Sequence, residues 1–377
     1  MRTEQRIWKE STGWESDHNS LGQSAGLVLA FGATRILKQG QFLPALQASY
    51  PNAHICGCST AGEICDTIIL DNSLVCTAVE FAKTRLQAVH IQISSVEDSY
   101  MTGKRLARSF APEGLVHLMV ISNGLRINGS ELVKGLNQHL PENVTLSGGL
   151  AADGEDFKDT LVFLDGAASN NSVIGLGFYG NHLRVGCRSE GGWHAFGPER
   201  LITRSQANVL YEMDGRSALE LYKQYLGKHA EGLPSTALLF PLCIREPAGT
   251  ELVRTVCSVD EAQQSMIFAG DVPEGAYAFL MRTNSEQLID GAATAAKDSL
   301  RGLDGKASEL AILVSCVGRR MILKQRVEEE LEIMRETLGS SPVLAGFYSY
   351  GEIGPQYPGG KASLHNQTMT ITTFAEE

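Results

Sequence analysis

The sequence predicts a mixed α/β fold of the α+β kind. It reads as two related halves built from repeated strand–helix–strand units, with antiparallel hairpins between them. Three observations carry this reading. Short apolar runs bounded by glycine alternate with amphipathic stretches. A strand–helix–strand pattern closed by a glycine-rich loop occurs three times along the 377 residues. Pairs of apolar runs broken by turn residues fill the space between the copies.

Taken in order, residues 1–23 are polar and read as a peripheral lead. The run GLVLAF, 26–31, predicts a buried strand, 42–49 a helix, and AHICG, 53–57, a second strand. That strand opens into the loop GCSTAGEI, 57–64. The second copy has a strand over 115–121, a helix over 129–140 and a strand over 144–146 that enters GGLAADG, 148–154. The third has a strand over 310–316 and a helix over 324–338, with Val327, Leu331, Met334 and Leu338 on one face. A strand from Val343 then opens GFYSYGEI, 346–353. Gly57, Gly62, Glu63 and Ile64 match Gly346, Gly351, Glu352 and Ile353 in spacing. The second copy lacks the Gly-Glu-Ile triplet.

Between the copies, 74–80 and 86–93 read as neighbouring strands. Residues 173–178 and 182–187 read as a hairpin about Gly180-Asn181. Residues 209–213 end at the turn Asp214-Gly215. Residues 217–226 predict an amphipathic helix stopped by Gly227, a bridge between two halves. Residues 276–281 predict a strand, 287–300 a helix, and 368–374 a last strand.

Acidic residues outnumber basic ones 43 to 32, a net charge of −11. That argues against non-specific nucleic-acid or anionic-membrane binding, which needs a basic footprint. No apolar stretch is long enough to span a bilayer, and the polar start lacks a signal-peptide core. The eight cysteines have no disulfide-framework spacing and lie mostly in apolar runs, which predicts reduced core thiols and a cytoplasmic protein.

Several motifs fail as chemistry. GLGFYG, 175–180, fits a dinucleotide fingerprint formally, but it runs from strand to strand rather than opening a helix. GCSTAG misses the nucleophile-elbow spacing by one residue. Cys56, Cys58 and Cys65 read as structural thiols, with a metal or redox role as the alternative. His194 sits in GGWHAFGP, 191–198, beside Trp193 and Phe196; it would present an imidazole to a metal or simply pack its loop. Glu63 and Glu352 form an acid/base pair only if they face one another. Otherwise each accepts backbone N–H bonds and pins its own loop. Tyr348 and Tyr350 have the apolar faces and polar tips that line small-molecule pockets.

On the motifs GCSTAGEI, GGLAADG, VIGLGFYG (173–180), GGWHAFGPERLITRS (191–205), ALELYKQYLG (218–227), VSCVGRR (314–320), GFYSYGEIGP (346–355) and LHNQTM (364–369), the sequence resembles the FIST family of bacterial ligand sensors. The resemblance spans residues 24–375 and divides the chain into a lead (1–23), an N-terminal FIST half (24–216) and a C-terminal half (217–377). It is nearest to the stand-alone NosP-type haem sensors of nitric oxide. It implies a non-enzymatic sensor that regulates a histidine kinase or a cyclic-di-GMP enzyme in trans, binds no nucleic acid or membrane, and leaves room for a homodimer. Haem would be the cofactor, with His194 as axial ligand and Cys58, His54 and His365 as rivals. The alternative ligand is a small polar metabolite such as an amino acid, and an enzyme is the third and weakest reading. The ligand-binding residues expected are Ser59, Thr60, Glu63, Trp193, Tyr348, Tyr350 and Glu352.

Overall fold

A computed structural model describes residues 1–15, 19–233, 235–247 and 249–377. Three units share one plan. In each, a first strand buried along almost its whole length leads through helix to a parallel second strand. The pairs are Leu27–Gly32 with His54–Ser59, Leu115–Ser122 with Thr145–Leu150, and Leu310–Cys316 with Val343–Ser349. The connecting helices are Thr34–Gln39 and Leu43–Ser49, then Gly129–Asn137, then Val317–Leu323 and Val327–Leu338. Burial on both faces explains why the first strands read as unbroken apolar runs. A return strand lies antiparallel on the far side of each: Ser73–Glu80, Ser172–Tyr179 and Met369–Glu376.

The units then exchange strands. Glu63–Cys65 of the first pairs with Val343–Ser349 of the third. Val162–Leu164 of the second pairs with His54–Ser59 of the first. Gly351–Pro355 of the third pairs with Thr145–Leu150 of the second. The three loans close a ring with pseudo-threefold order. An outer strand completes each sheet: Arg2–Lys9 on Ser73–Glu80, Arg85–Gln92 on Ser172–Tyr179, and Leu183–Glu190 on Met369–Glu376.

This exchange overturns two local expectations. The strands 73–80 and 85–92 are consecutive but belong to different sheets. The strand after Gly180-Asn181 does not fold back as a hairpin. It crosses to the third unit, while the Gly180 N–H bonds the Gly114 carbonyl. In both cases the open row of backbone groups on a neighbouring return strand outcompetes the nearest partner in sequence. The N-terminal segment contributes the outer strand Arg2–Lys9, paired over its whole length with Ser73–Glu80.

One apolar core is common to all three sheets. It includes Leu29, Phe31, Met119, Ile174, Phe178, Ile312, Phe347 and Phe374. Phe31 and Phe347 meet at 4.6 Å between ring centroids. His117 is enclosed with Phe178 and Phe374, and burial pulls its pKa down to about 3, so it is a neutral core residue.

Between the second and third units a separate module spans residues 194–282. Its eight-stranded sheet wraps the helix Ala218–Leu226, with a core including Leu210, Leu219, Tyr222, Met266, Phe268 and Leu280. The Ser217 side chain caps this helix by accepting the Glu220 N–H. The helix expected to bridge two halves therefore lies inside this module. Repeated strand–helix–strand units in a mixed α/β fold are as the sequence predicts, and the repeat beneath the two halves is threefold.

Gly57, Gly148 and Gly346 stand at equivalent points where the parallel strands come closest. A Cβ there would lie 1.7, 1.8 and 1.8 Å from the carbonyl oxygens of Ala30, Val120 and Leu313. Gly57→Ala or Gly346→Ala should destabilise by about 1–3 kcal/mol or more in urea unfolding. Gly166→Ala, with nothing closer than 3.7 Å, should cost under about 0.5 kcal/mol.

Candidate functional site

The three glycine-rich loops meet where the exchanged strands begin. The N–H groups of Ala61, Ala152 and Tyr350 donate to the carbonyls of Tyr348, Ser59 and Leu150 at 2.9, 2.9 and 3.2 Å. Counting from Gly57, Gly148 and Gly346, every donor is the fifth residue and every acceptor the third. Each bond links two units, so the loops lock into a cycle.

Most of the residues expected to bind ligand are used up in this lock. Ser59 is buried, and its Oγ accepts the Leu161 N–H at 2.8 Å. Thr60 Oγ1 donates to Glu63 Oε1 at 2.7 Å and accepts the Gly62 N–H at 3.2 Å. Ser73 Oγ donates to Glu63 Oε2 at 2.7 Å. The third unit repeats the clasp. Ser349 Oγ donates to Glu352 Oε1 at 2.5 Å, and the Thr368 N–H and hydroxyl reach Oε2 at 3.2 and 3.0 Å. Both glutamates are almost wholly buried, each held mainly by hydroxyls within its own unit. The second unit has Ala151 and Gly154 at the corresponding positions and no such clasp.

The tyrosines tie loops together. The buried Tyr348 hydroxyl donates to Glu330 Oε2 at 3.1 Å. Tyr350 donates to the Asp153 carboxylate and stacks on Phe157 at 4.4 Å. Beside them lies a residue the sequence reading passed over, the fully buried Arg319. It donates to Glu330 and to the carbonyls of Gly191 and Leu288. Its motif, VSCVGRR, was visible, but nothing in the spacing shows that Arg319 turns inward while Arg320 turns outward to Asp71. The Arg320 guanidinium reaches Asp71 at 2.6 Å and the Ala61 carbonyl at 2.5 Å. Arg320, Asp71 and Glu155 line a cavity of about 360 Å³ over the loops, to which all three units contribute.

The proposed metal ligands are scattered. His194 is exposed at the start of the strand His194–Gln206, opposite Arg282, and residues 194–199 are all exposed. Trp193 is half-buried and donates Nε1–H to the Gln367 carbonyl at 3.0 Å. His54 lies 2.8 Å from Asp165, which raises its pKa. His365 is buried against the Gly354 carbonyl at 2.9 Å, and burial lowers its pKa to about 4. Cys58 is buried, and burial pushes its thiol pKa well up. Among the described residues no three His, Cys, Asp or Glu side chains converge as a metal site.

A larger cleft of about 480 Å³ opens between the ring and the inserted module. The helix Gly129–Asn137 and the strand Ala362–His365 form the ring wall. Glu246, Arg254 and Asp271 come from the module. Only a few polar bonds cross here. Asn128 Nδ2 donates to Asp271 Oδ1 at 2.7 Å, the Asp271 N–H to Ser130 Oγ at 3.3 Å, and Arg254 Nη1 to the Leu364 carbonyl at 2.9 Å.

Residues 26–216 match the FIST N domain and residues 218–355 the FIST C domain. The chain belongs to the FIST family. FIST domains are sensor modules of signal transduction. Among the relatives of this FIST protein, an uncharacterized protein of Mycobacterium tuberculosis is 24% identical over 375 residues, covering 94% of this chain and 92% of the relative. An uncharacterized protein of Methanocaldococcus jannaschii is 20% identical, covering 84% of this chain and 65% of the relative. A solved cyanuric acid hydrolase from A. caulinodans aligns over 78% of this chain and 99% of its own at 12% identity. Its TM-score is only 0.19. No helix among the described residues is long and apolar enough to cross a membrane.

Burial raises the pKa of Glu63 to about 7 and that of Glu352 to about 8, against the hydroxyl bonds that lower them. The unfolded chain ionises these groups near 4.5. The folded state therefore holds the extra protons between those limits. Stability should fall as pH rises from about 4.5 to about 8. Glu63→Gln with Glu352→Gln should flatten that fall, at about 1.4 kcal/mol for each pH unit over which one of the two groups holds its extra proton, in urea titrations repeated at several pH values.

Proposed function

We propose that this FIST protein senses a small polar ligand in the cleft between ring and module, and acts on a partner protein in trans. The observation that carries the reading is the makeup of the cleft. Its two walls belong to two separately cored bodies joined there by a few hydrogen bonds. A ligand that bonds both walls better in one relative position shifts the population toward it, by no more than its differential affinity. The resemblance to stand-alone sensors supports a histidine kinase or a cyclic-di-GMP enzyme as the partner.

We read the chain as a binding protein rather than an enzyme. The two glutamates that would have made an acid/base pair are each enclosed by hydroxyls within their own units. Haem with nitric oxide as signal is the second reading. It is favoured by the accessible imidazole of His194 beside Trp193. A haem also needs an enclosing apolar wall. The exposed run 194–199, with Arg282 opposite, does not form one, so no step is assigned through haem.

Two measurements decide between these readings. Calorimetric titration of the full chain with a panel of amino acids and small organic acids should find a ligand. Ser130→Trp, which fills the cleft, should abolish its binding. Titration with haem should give a visible spectrum that His194→Ala leaves unchanged. A Soret band that shifts on saturation and is lost in His194→Ala would transfer the assignment to haem.

A further inference from the structure

The cleft contains a buried cation that no carboxylate among the described residues pairs directly. Arg254 ends the strand Glu251–Arg254 and is only 3% exposed. Its Nε donates to the Asp271 carbonyl at 3.1 Å and its Nη1 to the Leu364 carbonyl at 2.9 Å. Both acceptors are backbone oxygens, and among the described residues Nη2 has no hydrogen-bond partner and the guanidinium no ion pair. Gly270 clears the space for it: a Cβ there would lie 2.9 Å from Nε. Placing a guanidinium out of water without a counter-ion is costly, and such groups are found paired. Asp271 and Glu246 stand near enough to offset part of the cost, yet burial dominates and lowers the Arg254 pKa to about 10. Asp271 uses Oδ1 on Asn128 instead.

The cleft lining is of mixed charge, with Glu131, Glu246 and Asp271 beside Arg254, Lys134 and Lys361. Lys134 and Lys361 are exposed at the cleft rim. Lys134 is paired with Glu131 at 2.9 Å, and Lys361 forms no ion pair among the described residues.

We propose that the cleft binds a small carboxylate-bearing metabolite, with the free edge of the Arg254 guanidinium taking the carboxylate and Lys134 and Lys361 drawing it in. This assignment rests on the sensor reading and names its ligand class. Arginine suits the task because its planar donors match a carboxylate.

The test is calorimetric titration of the full chain with succinate, with its neutral diamide succinamide, and with inorganic phosphate. Succinate should bind saturably, succinamide at least about tenfold more weakly, and phosphate more weakly than succinate. Arg254→Gln should lose succinate affinity by about thirtyfold or more, and Arg254→Lys by less. Lys361→Gln should weaken binding a few-fold. Circular dichroism and the urea midpoint establish that each variant folds; should Arg254→Gln not fold, Arg254→Lys and Lys361→Gln carry the comparison. Equal binding of succinate and succinamide, unchanged affinity in Arg254→Gln, or tighter binding of phosphate would each overturn the carboxylate assignment. Absence of binding by all three probes would overturn it too. The sensor reading then stands or falls separately, on whether Ser130→Trp abolishes binding of a ligand from the metabolite panel.

Discussion

Strand exchange is the constraint on which the rest of the molecule depends. A two-stranded parallel pair leaves a row of N–H and C=O groups open on its outer edge. Each unit here closes that edge with a short strand borrowed from another, in the cycle third, first, second. No unit is complete alone. The three backbone bonds among Ala61, Ala152, Tyr350 and their acceptors fix how the units meet. The shared core of phenylalanines and aliphatic residues then packs in one arrangement.

Around that cycle the buried polar groups serve the frame. Glu63 and Glu352 hold the turns from which the exchanged strands leave, and Arg319 with Glu330 joins the third unit to the segment before the inserted module. Buried polar networks of this kind hold a geometry tightly when every member is satisfied. The second unit, without a glutamate clasp, uses Asn123 and Thr160 instead: Asn123 Nδ2 donates to the Thr160 carbonyl at 2.7 Å, and Thr160 Oγ1 accepts the Gly124 N–H at 3.0 Å.

The inserted module stands in a different relation to the ring. It has its own core, and near the cleft it meets the ring through a few polar bonds and a cleft containing a buried arginine. A ring locked by exchanged strands, beside a module that meets it at the cleft through a few polar bonds, is a sensible division of labour for a FIST sensor. One part holds shape, and the other meets it across a cleft lined by polar side chains.

The sequence by itself determined the local elements and the repeat. The first strands, their helices and the glycine-rich loops were legible because burial on both faces, a 3.6-residue apolar period and close backbone approach each leave a local mark. The family was legible for the same reason, in contiguous motifs. The tertiary structure alone decided which strand pairs with which, because a strand's backbone groups do not encode their partner. It also decided that Glu63, Glu352 and Tyr348 face inward, since a carboxylate in a glycine loop reads alike whether it clasps a hydroxyl or awaits a ligand. Arg254 had no local signal at all. It stands alone in an ordinary edge strand, and its meaning comes from Leu364, 110 residues away, whose carbonyl its guanidinium reaches across the cleft wall.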